Sequence, residues 1–421
     1  MVRELLSRRT LFKLGFGAGI SLVRTSRAGE TGRVTDAELA RICREPVLDT
    51  RSFSAPVRMQ TVQLLRNGST FLVRVRSRDG AEGLSVANSA RLRYTWPIFV
   101  GLVAPFFLGK DARRLEELLF ELYRWRSNYK LQGLAFWVCV AACEMAILDM
   151  LGRIAGKSIG GLFGGVKRRD IAVYPASGHR GNKPEEEVKY LKHLVEKTGA
   201  RAVKFRVGGR MSRNADSLPG RTEALIPLAR EVLGEKITLY ADSNSSYDVA
   251  NAIRIGRLLE KYNYGFFEEP CPFDHLWETK QVARALRIPV AGGEQEFSMR
   301  RFRWMIAQRA VDIVQPDLHY FGGFIRCTKV ALMAHRAGMP CTVHMSGGGL
   351  GYVHVLHFAS YIPDPGPFQE FKGETRLPVE CPTSSLKCRR GVIRCPSGPG
   401  FGVTLDPDFV SRAKVVRRGT P

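Results

Sequence analysis

The chain lacks the features that define several large classes of protein. It contains no run of 18 or more apolar residues, which excludes a protein that crosses a membrane several times. Its nine cysteines are few and odd in number, so they do not form the framework of a disulfide-rich domain. It carries no nucleic-acid-binding motif. The remaining composition is that of a globular protein, and 421 residues suit two or three domains.

Acidic residues are scarce relative to basic ones. The chain has 64 Lys and Arg against 40 Asp and Glu, which gives a net charge of +24 at pH 7. Part of the excess is concentrated in residues 376–421, with nine basic and three acidic residues. An exported protein that binds a polyanion without turnover is therefore one hypothesis. Without a nucleic-acid motif, however, we do not expect nucleic acid as a partner.

Residues 1–28 have the three regions of an export signal. Arg8 and Arg9 precede a weakly apolar run over residues 14–23, and a small-x-small cleavage pattern ends at Ala28. The segment resembles a twin-arginine signal, which exports proteins that are already folded. We predict a periplasmic or cell-envelope protein with no stable membrane anchor after processing. Cleavage removes six basic residues and one acidic residue and leaves a net charge of about +19.

Three cysteines recur every seven residues near the carboxyl end, at Cys381, Cys388 and Cys395. In an oxidising compartment two of them could form a disulfide. No histidine lies near them at zinc-finger spacing, so we do not expect them to bind metal. One disulfide and three free thiols both stay open.

The amino-terminal part of the mature chain predicts a small α+β domain. Residues 29–56 are polar and mixed, which predicts an arm. After the arm, Asn67-Gly68 separates two β-rich runs, the pattern of a hairpin. The elements predicted in this domain, residues 57–165, are three strands and two helices over residues 57–65, 70–77, 83–87, 111–128 and 136–153.

From about residue 171, short apolar strands alternate with helical stretches. The strands begin about 23 to 35 residues apart, which is the repeat of a β/α unit. This pattern predicts a (β/α)₈-type barrel with its function at the carboxyl ends of the strands. The eight predicted strands cover residues 171–174, 202–207, 237–241, 265–269, 289–293, 312–316, 341–344 and 368–371.

Ionisable residues stand at the ends of seven consecutive predicted strands. One carboxylate at a strand end is usually a helix cap or a loop ion pair. Seven in succession would all meet at the mouth of one barrel, and that arrangement favours a functional site. These residues are Lys204 and Arg206, Asp242, Glu268, Glu294, Asp317, His344 and Glu370.

Three of these carboxylates, Asp242, Glu268 and Glu294, form an anionic cluster whose ligand atoms are all oxygens. Left alone in a cleft they would repel one another and be pushed to protonate. A hard divalent cation removes the conflict, and Mg²⁺ characteristically takes few carboxylates and keeps sites for water and substrate oxygens. The absence of Cys and His from the trio argues against zinc.

The cluster is flanked by two cations and a predicted acid/base pair. Lys204 and Arg206 share a face of their strand because side chains alternate along it. Asp317 and His344 end neighbouring strands, so the carboxylate can fix the imidazole tautomer. Together with a metal ion, these groups suit removal of a proton from the carbon next to a carboxylate and stabilisation of the enediolate.

This ordered set of residues resembles the mandelate racemase subgroup of the enolase superfamily. The resemblance extends over roughly residues 57–411. It rests on Lys204-x-Arg206, Asp242-x-Asn244, FEEP at 267–270, Gly293-Glu294, VDIVQPDLHYFGG at 311–323, His344 and FQEF at 368–371.

The resemblance implies an α/β fold, a modified (β/α)₇β TIM-like barrel with an α+β capping domain. The barrel then covers residues 166–375, and residues 376–421 return to the capping domain. Mg²⁺ is expected on Asp242, Glu268 and Glu294. Members of the family are commonly oligomeric, so a homo-oligomer is expected.

The resemblance also implies roles for individual residues. His344 paired with Asp317 resembles the general acid/base of the family, and Lys204 the lysine that binds the substrate carboxylate. Glu370 corresponds to the carboxyl group that hydrogen-bonds a substrate oxygen. Asn244 is assigned to substrate binding.

Arg206 departs from the pattern of the racemases, which have a second lysine there that can carry a proton. A guanidinium stays protonated, so it acts as a fixed cation. Within the family this favours a dehydratase that acts on a sugar acid and gives a 2-keto-3-deoxy acid. A racemase or epimerase of a 2-hydroxy acid, with Lys204 as second base, is the alternative.

The substrate pocket is less well defined by the sequence. The turn over residues 66–69 is too short to cover the site. Either the site stays open to a longer substrate, or the segment 86–97 supplies the lid, with Arg91, Arg93 and Tyr94 as substrate-binding residues. A solvated basic loop is the alternative for this segment.

Overall fold

The computed structural model of the chain describes residues 34–417. The predicted export signal, residues 1–28, lies outside the described residues, as does the start of the predicted arm.

The described chain contains fourteen strands and fourteen α-helices, and most of them belong either to the capping domain or to the barrel. The strands are β1 Met59–Asn67, β2 Thr70–Ser77, β3 Glu82–Val86, β4 Asp170–Pro175, β5 Ala202–Arg206, β6 Thr238–Asp242, β7 Phe266–Glu268, β8 Val290–Gly292, β9 Ile313–Val314, β10 Gln369–Phe371, β11 Val379–Glu380, β12 Val392–Arg394, β13 Thr404–Leu405 and β14 Lys414–Val415. The helices are α1 Asp36–Arg44, α2 Ser89–Ile98, α3 Ala104–Phe107, α4 Leu115–Arg124, α5 Leu134–Ala155, α6 Ile159–Leu162, α7 Pro184–Thr198, α8 Arg221–Leu233, α9 Val249–Lys261, α10 Leu276–Ala285, α11 Met299–Ala307, α12 Phe324–Arg336, α13 Gly351–Tyr361 and α14 Pro407–Ser411.

The capping domain contains an antiparallel sheet in the order β14-β1-β2-β3. The predicted hairpin forms, with Asn67 opposite Thr70 and with Gly68 at a φ of 57°, a value that glycine adopts readily. The late strand β14 pairs with β1 at Leu65 and Val415. The end of the described chain therefore returns to the capping sheet.

The helix predicted over residues 111–128 is shorter than expected. A 3₁₀ turn precedes α4, and a kinked 3₁₀ stretch over Trp125–Leu131 follows it, with positive φ angles at Arg126 and Ser127. The apolar spacing that predicted the helix ends at Leu122, the last of four buried leucines on one face. The helix ends where its buried stripe ends.

The helix α5 lies in the core, next to β2 and β3. It is long and apolar enough to cross a membrane, but 89% of its most apolar window is buried inside the protein. Its two buried acids bind backbone amides of other segments. Glu144 accepts hydrogen bonds from the N–H groups of Phe324 and Ile325, and Asp149 from those of Leu84 and Phe401. Burial raises the pKa of Glu144 to about 8.

Most of the remaining strands and their helices form the barrel. Parallel pairing runs in the order β5-β6-β7-β8-β9, and β10 pairs with β4. A bridge between Ala176 and Lys204 joins β4 to β5. The predicted strand over residues 341–344 is present only as isolated bridges to the segment of β9, at Cys341 and His344. Eight strand positions with seven intervening helices, α7 to α13, make the (β/α)₇β barrel that the resemblance implied.

The barrel interior is filled by apolar side chains from alternate positions. The cluster consists of Tyr174, Ala202, Tyr240, Phe266 and Ala291. Residues two positions further along a strand share this inward face, because side chains alternate along the strand. Such positions at the carboxyl ends of β5, β6 and β7 therefore also point into the barrel.

The predicted polar arm contains a docked helix. Thr35 and Glu38 form a capping box that begins α1, and Leu39 is fully buried. Ion pairs join Asp36 to Arg303 and Glu38 to Arg336, on the barrel helices α11 and α12. The polar composition of this segment thus includes charges that pair with the barrel.

All nine cysteines lie within the described residues, and they are free thiols. Of the two alternatives for Cys381, Cys388 and Cys395, the structure has three unpaired thiols.

Candidate active site

Three carboxylates meet inside the mouth of the barrel. Asp242 ends β6, and its parallel partner Glu268 ends β7 directly opposite. Glu294 follows β8 by two residues. Ligand oxygens of the three lie within 4.8 Å of one another, and each residue is at most 5% exposed. The structure therefore brings together the trio that the sequence predicted as metal ligands.

The chemistry of this trio fits a hard divalent cation. Its donors are all carboxylate oxygens, which such cations prefer. Among the described residues, Glu294 Oε2 accepts no hydrogen bond although it is buried. An unsatisfied buried carboxylate oxygen beside two further carboxylates is costly unless a cation balances it.

Two side-chain cations lie against the trio. Lys204 Nζ is 2.7 Å and 2.8 Å from the two oxygens of Glu268 and 2.9 Å from Glu370 Oε1. Arg206 forms an ion pair with Asp242. Burial alone would lower the pKa of Lys204, but Glu268 and Glu370 outweigh it and raise the pKa above its ordinary value. Lys204 is therefore an ammonium held between two carboxylates.

His344 and Asp317 form the predicted pair. His344 Nδ1 lies 2.7 Å from Asp317 Oδ2. The other oxygen of Asp317 accepts three hydrogen bonds of 2.8 Å, from the backbone N–H groups of His319 and Tyr320 and from Ser346 Oγ. Although burial opposes ionisation, the hydrogen bonds from His344 and Ser346 hold the pKa of Asp317 below its ordinary value. Asp317 thus accepts a hydrogen bond from His344 Nδ1–H.

Lys372 is a site residue that the sequence analysis missed. Its Nζ lies 3.0 Å from His344 Nε2, 2.6 Å from the Met345 carbonyl oxygen and 3.3 Å from Glu370 Oε2. An ammonium only donates, so His344 Nε2 faces it with a lone pair. Asp317 and Lys372 therefore both favour the tautomer with a proton on Nδ1. The signal was available, because Lys372 lies two residues after Glu370 and so shares its face.

Glu370 and Glu269 complete the acidic groups of the mouth. Glu370 Oε2 accepts a 2.8 Å hydrogen bond from the Met345 N–H, which fixes this side chain beside His344. Burial, followed by the charges of Glu294 and Glu268, raises the pKa of Glu269 well above its ordinary value. The mouth thus holds more carboxylates than its own cations balance.

Comparison with known proteins identifies the family. Residues 46–164 match the mandelate racemase / muconate lactonizing enzyme N-terminal domain, and residues 186–409 match the enolase C-terminal domain-like family. The chain belongs to the mandelate racemase/muconate lactonizing enzyme family of the enolase superfamily. It is therefore an enzyme, and its chemistry is that of a lyase or an isomerase.

Individual members of this family resemble the chain over most of its length. The arabinonate dehydratase of Saccharolobus solfataricus is 30% identical over 305 residues, which cover 72% of this chain and 79% of the dehydratase. A putative racemase from Roseobacter denitrificans has a TM-score of 0.80 and 33% identity, and the match covers 85% of this chain and 99% of that one. A mandelate racemase/muconate lactonizing protein from Paracoccus denitrificans, complexed with magnesium, has a TM-score of 0.77 and 27% identity, covering 86% and 100%.

Asn244 stands at the centre of a group of arginines in this member of the family. Its Oδ1 accepts hydrogen bonds from Arg180 Nη2 at 2.5 Å and from Arg210 Nη2 at 3.3 Å. Burial, and then the charges of Arg206 and Arg210, lowers the pKa of Arg180 to about 10. The sequence analysis named neither Arg180 nor Arg210. Both lie in loops that follow barrel strands, which is where site residues were expected.

The predicted lid is a helix rather than a loop. Asn88 caps α2, and its side chain donates a 3.1 Å hydrogen bond to Ser346 Oγ. Arg91 Nε donates to Tyr320 Oη at 3.2 Å, and the Tyr320 ring lies 6.2 Å from that of His344. The capping domain therefore contacts the loops that follow Asp317 and His344.

The other two predicted lid residues have a different environment. The Arg93 guanidinium lies 5.8 Å from the Tyr94 ring, and Tyr94 is 74% exposed. The structure does not bring them to the carboxylates, and their role in substrate binding stays a prediction. The short turn at residues 66–69 lies beside β14, and Arg66 of β1 stands opposite Lys414 of β14 in the antiparallel sheet.

Proposed function

We propose that this enzyme uses Mg²⁺ to remove the proton α to the carboxylate of a sugar acid and then eliminates water, which gives a 2-keto-3-deoxy acid. The observation that carries the proposal is a single imidazole base, fixed by Asp317, in a site where Arg206 replaces the second lysine of the racemases. The resemblance to an arabinonate dehydratase supports the same reaction.

His344 is the base in this reaction. Its Nδ1–H donates to Asp317, so Nε2 carries the lone pair that takes the α-proton. In the structure, Lys372 Nζ donates a hydrogen bond to this lone pair. It also binds the Met345 carbonyl oxygen and Glu370, so it keeps two partners when the α-carbon takes its place beside Nε2.

The remaining groups stabilise the charge that develops. When bound to the trio, Mg²⁺ supplies positive charge beside the substrate carboxylate and so favours the enediolate. Lys204 binds the same carboxylate as a buried ammonium, and Arg206 contributes a cation that does not lose its proton. Glu370 orients a substrate oxygen from its position between Lys204 and the Met345 N–H.

The elimination balances without any other reactant. The α C–H bond breaks and its proton moves to His344 Nε2, while the electron pair forms the enediolate. The C–O bond at the β-carbon then breaks, and the imidazolium returns the proton to the departing hydroxyl as water. The resulting enol rearranges to the 2-keto acid.

A racemase would need a second base on the opposite face of the substrate. Lys204 is the candidate, but it would have to be neutral. Its contacts with Glu268 and Glu370 favour the ammonium. We therefore keep racemisation as an outcome of the test and not as a second proposal.

The test is a screen of mono- and dicarboxylic sugar acids with Mg²⁺. We expect a 2-keto acid, measured as its semicarbazone, from at least one of them. Proton NMR in D₂O follows exchange of the α-proton in the recovered substrate. His344→Asn should abolish turnover and keep Mg²⁺ binding, and Arg206→Lys should slow the formation of keto acid.

Two results would contradict the proposal. Exchange of the α-proton that returns both stereoisomers without keto acid would establish a racemase with Lys204 as second base. If the protein turns over no acid and is retained on DNA in a way that salt reverses, polyanion binding without turnover would be supported instead.

A further inference from the structure

We infer that Arg180 and Arg210, here named the guanidinium cluster, bind a second carboxylate of the substrate, so that the substrate is a dicarboxylic sugar acid. The inference rests on the proposed function, because it concerns the same site. It extends that function by assigning the end of the substrate that does not react.

The cluster is assembled from two neighbouring strand ends. Arg210 lies in the loop between β5 and α8, and Arg180 lies in the loop between β4 and α7. Asn244 Oδ1 accepts hydrogen bonds from both Arg180 and Arg210, which draws these side chains together. Asn244 follows Asp242 by two residues, so the cluster adjoins the predicted metal ligands.

Most of the donors of the two loop arginines are unused. Within residues 34–417, neither Arg180 nor Arg210 forms an ion pair with a carboxylate, and each donates one hydrogen bond, to Asn244. Arg180 Nε is buried and has no hydrogen-bond partner in this part of the chain. A guanidinium has five N–H donors, so both retain donors for a ligand.

Arg221 shows what a structural arginine looks like at the same mouth. Its Nε and Nη1 donate to the carbonyl oxygens of Asn182 and Arg206, and the residue is 1% exposed. It therefore supports the loops that carry the cluster. Arg180 is half-buried and Arg210 is exposed, and neither binds backbone in this way.

The arrangement of these arginines is typical of an anion-binding site. The guanidinium groups of Arg180 and Arg210 carry like charges that repel one another, and a bound anion removes the repulsion. Guanidinium groups match carboxylates in bidentate geometry. In the proposed function the reacting carboxylate lies beside Lys204 and the metal site. The cluster is therefore available for an acidic group at the other end of a sugar acid.

The test compares acids that differ only at their far end. Hexarates and hexonates of matched configuration, such as galactarate and galactonate, are titrated by calorimetry into His344→Asn loaded with Mg²⁺, which binds without turnover. We expect the hexarate to bind at least about ten-fold more tightly than the hexonate. Adding Arg180→Gln or Arg210→Gln should remove about ten-fold of the hexarate affinity and leave the hexonate within about three-fold.

Arg213→Gln is the matched control, because Arg213 is an exposed arginine of the same loop as Arg210. It should leave both affinities unchanged. Equal binding of hexarate and hexonate would overturn the inference, as would equal loss of both in the Arg210→Gln variant. Tighter binding of 6-phosphogluconate than of any hexarate would overturn the choice of a carboxylate.

These outcomes are separate from failure of the proposed reaction. A preference for hexarates in the inactive variant supports the cluster even if the parent enzyme forms no keto acid. Formation of keto acid from hexonates alone would overturn the inference and leave dehydration intact.

Discussion

Asp317→Asn tests the tautomer argument on which the reaction depends. The substitution keeps the shape of the side chain and replaces one oxygen by an NH₂ group. Three donors converge on Asp317 Oδ1, so the amide oxygen stays there and the NH₂ group faces His344. Two donors cannot share this contact. His344 must therefore move its proton to Nε2, where it can no longer accept one.

The size of the effect follows from the contacts that are lost. Loss of general acid/base catalysis costs about two to four orders of magnitude in kcat. This is about 3 to 5 kcal/mol of activation free energy. The three hydrogen bonds to Oδ1 remain, and a neutral N–H···N bond replaces the charge-assisted one to His344, so the free energy of unfolding should fall by about 1 kcal/mol. Mg²⁺ binding should be unchanged, because Asp317 is not one of the three carboxylates.

The assay is the initial rate of keto acid formation at saturating substrate, with calorimetry of Mg²⁺ binding and urea unfolding on the same preparations. Ser346→Ala is the matched control. It removes one donor to Asp317 Oδ1 and leaves the bond to His344, so its kcat should fall by less than about ten-fold. An Asp317→Asn enzyme within about three-fold of the parent kcat would refute the argument, since the general-base contribution would then be missing.

Three further predictions concern the metal site, the predicted export signal and the core. Each charge-removing change in the trio should weaken Mg²⁺ binding in calorimetry, and an unchanged affinity would remove that residue from the ligand set. The changes are Asp242→Asn, Glu268→Gln and Glu294→Gln. Arg8→Lys combined with Arg9→Lys should leave unprocessed, active protein in the cytoplasm on fractionation, and continued export with cleavage would contradict the signal. Glu144→Gln should lower the free energy of urea unfolding by about 1 to 3 kcal/mol near pH 5, because an amide cannot accept from both backbone N–H groups that Glu144 binds. The folded-state pKa of Glu144 is raised from 4.5 to about 8, so its stabilising contribution is complete below pH 4.5 and is lost as the pH rises through about 8, and the deficit of the variant should shrink over this range.

The fold and the centre of the site could be predicted because their signals are local. Asp242 and Glu268 each end a short buried strand. Parallel strands place such ends at one mouth whatever the loops do. The hairpin at Asn67-Gly68 was predicted for a similar reason, since its backbone geometry is encoded in two residues.

Other features depend on contacts between distant parts of the chain. From the sequence, the charges of α1 indicated a polar arm. In the structure they form ion pairs with Arg303 and Arg336 of the barrel helices. The segment around α2 gave no periodic signal. Once it is helical, Arg91 and Arg93 are two residues apart and cannot face the same way. Only Arg91 meets the barrel, and no local pattern distinguishes it from Arg93.

The pairing of β14 with β1 has a consequence for the order in which the protein is completed during synthesis. The ribosome makes β1 almost 350 residues before β14, yet the two strands are neighbours in one sheet. Until residues 414–415 emerge, part of the edge of β1 has unpaired backbone groups, which can pair with a strand of another chain. The sheet therefore closes only after the barrel has been synthesised. A chain that stops short of β14 keeps an open edge that distinguishes it from a finished one.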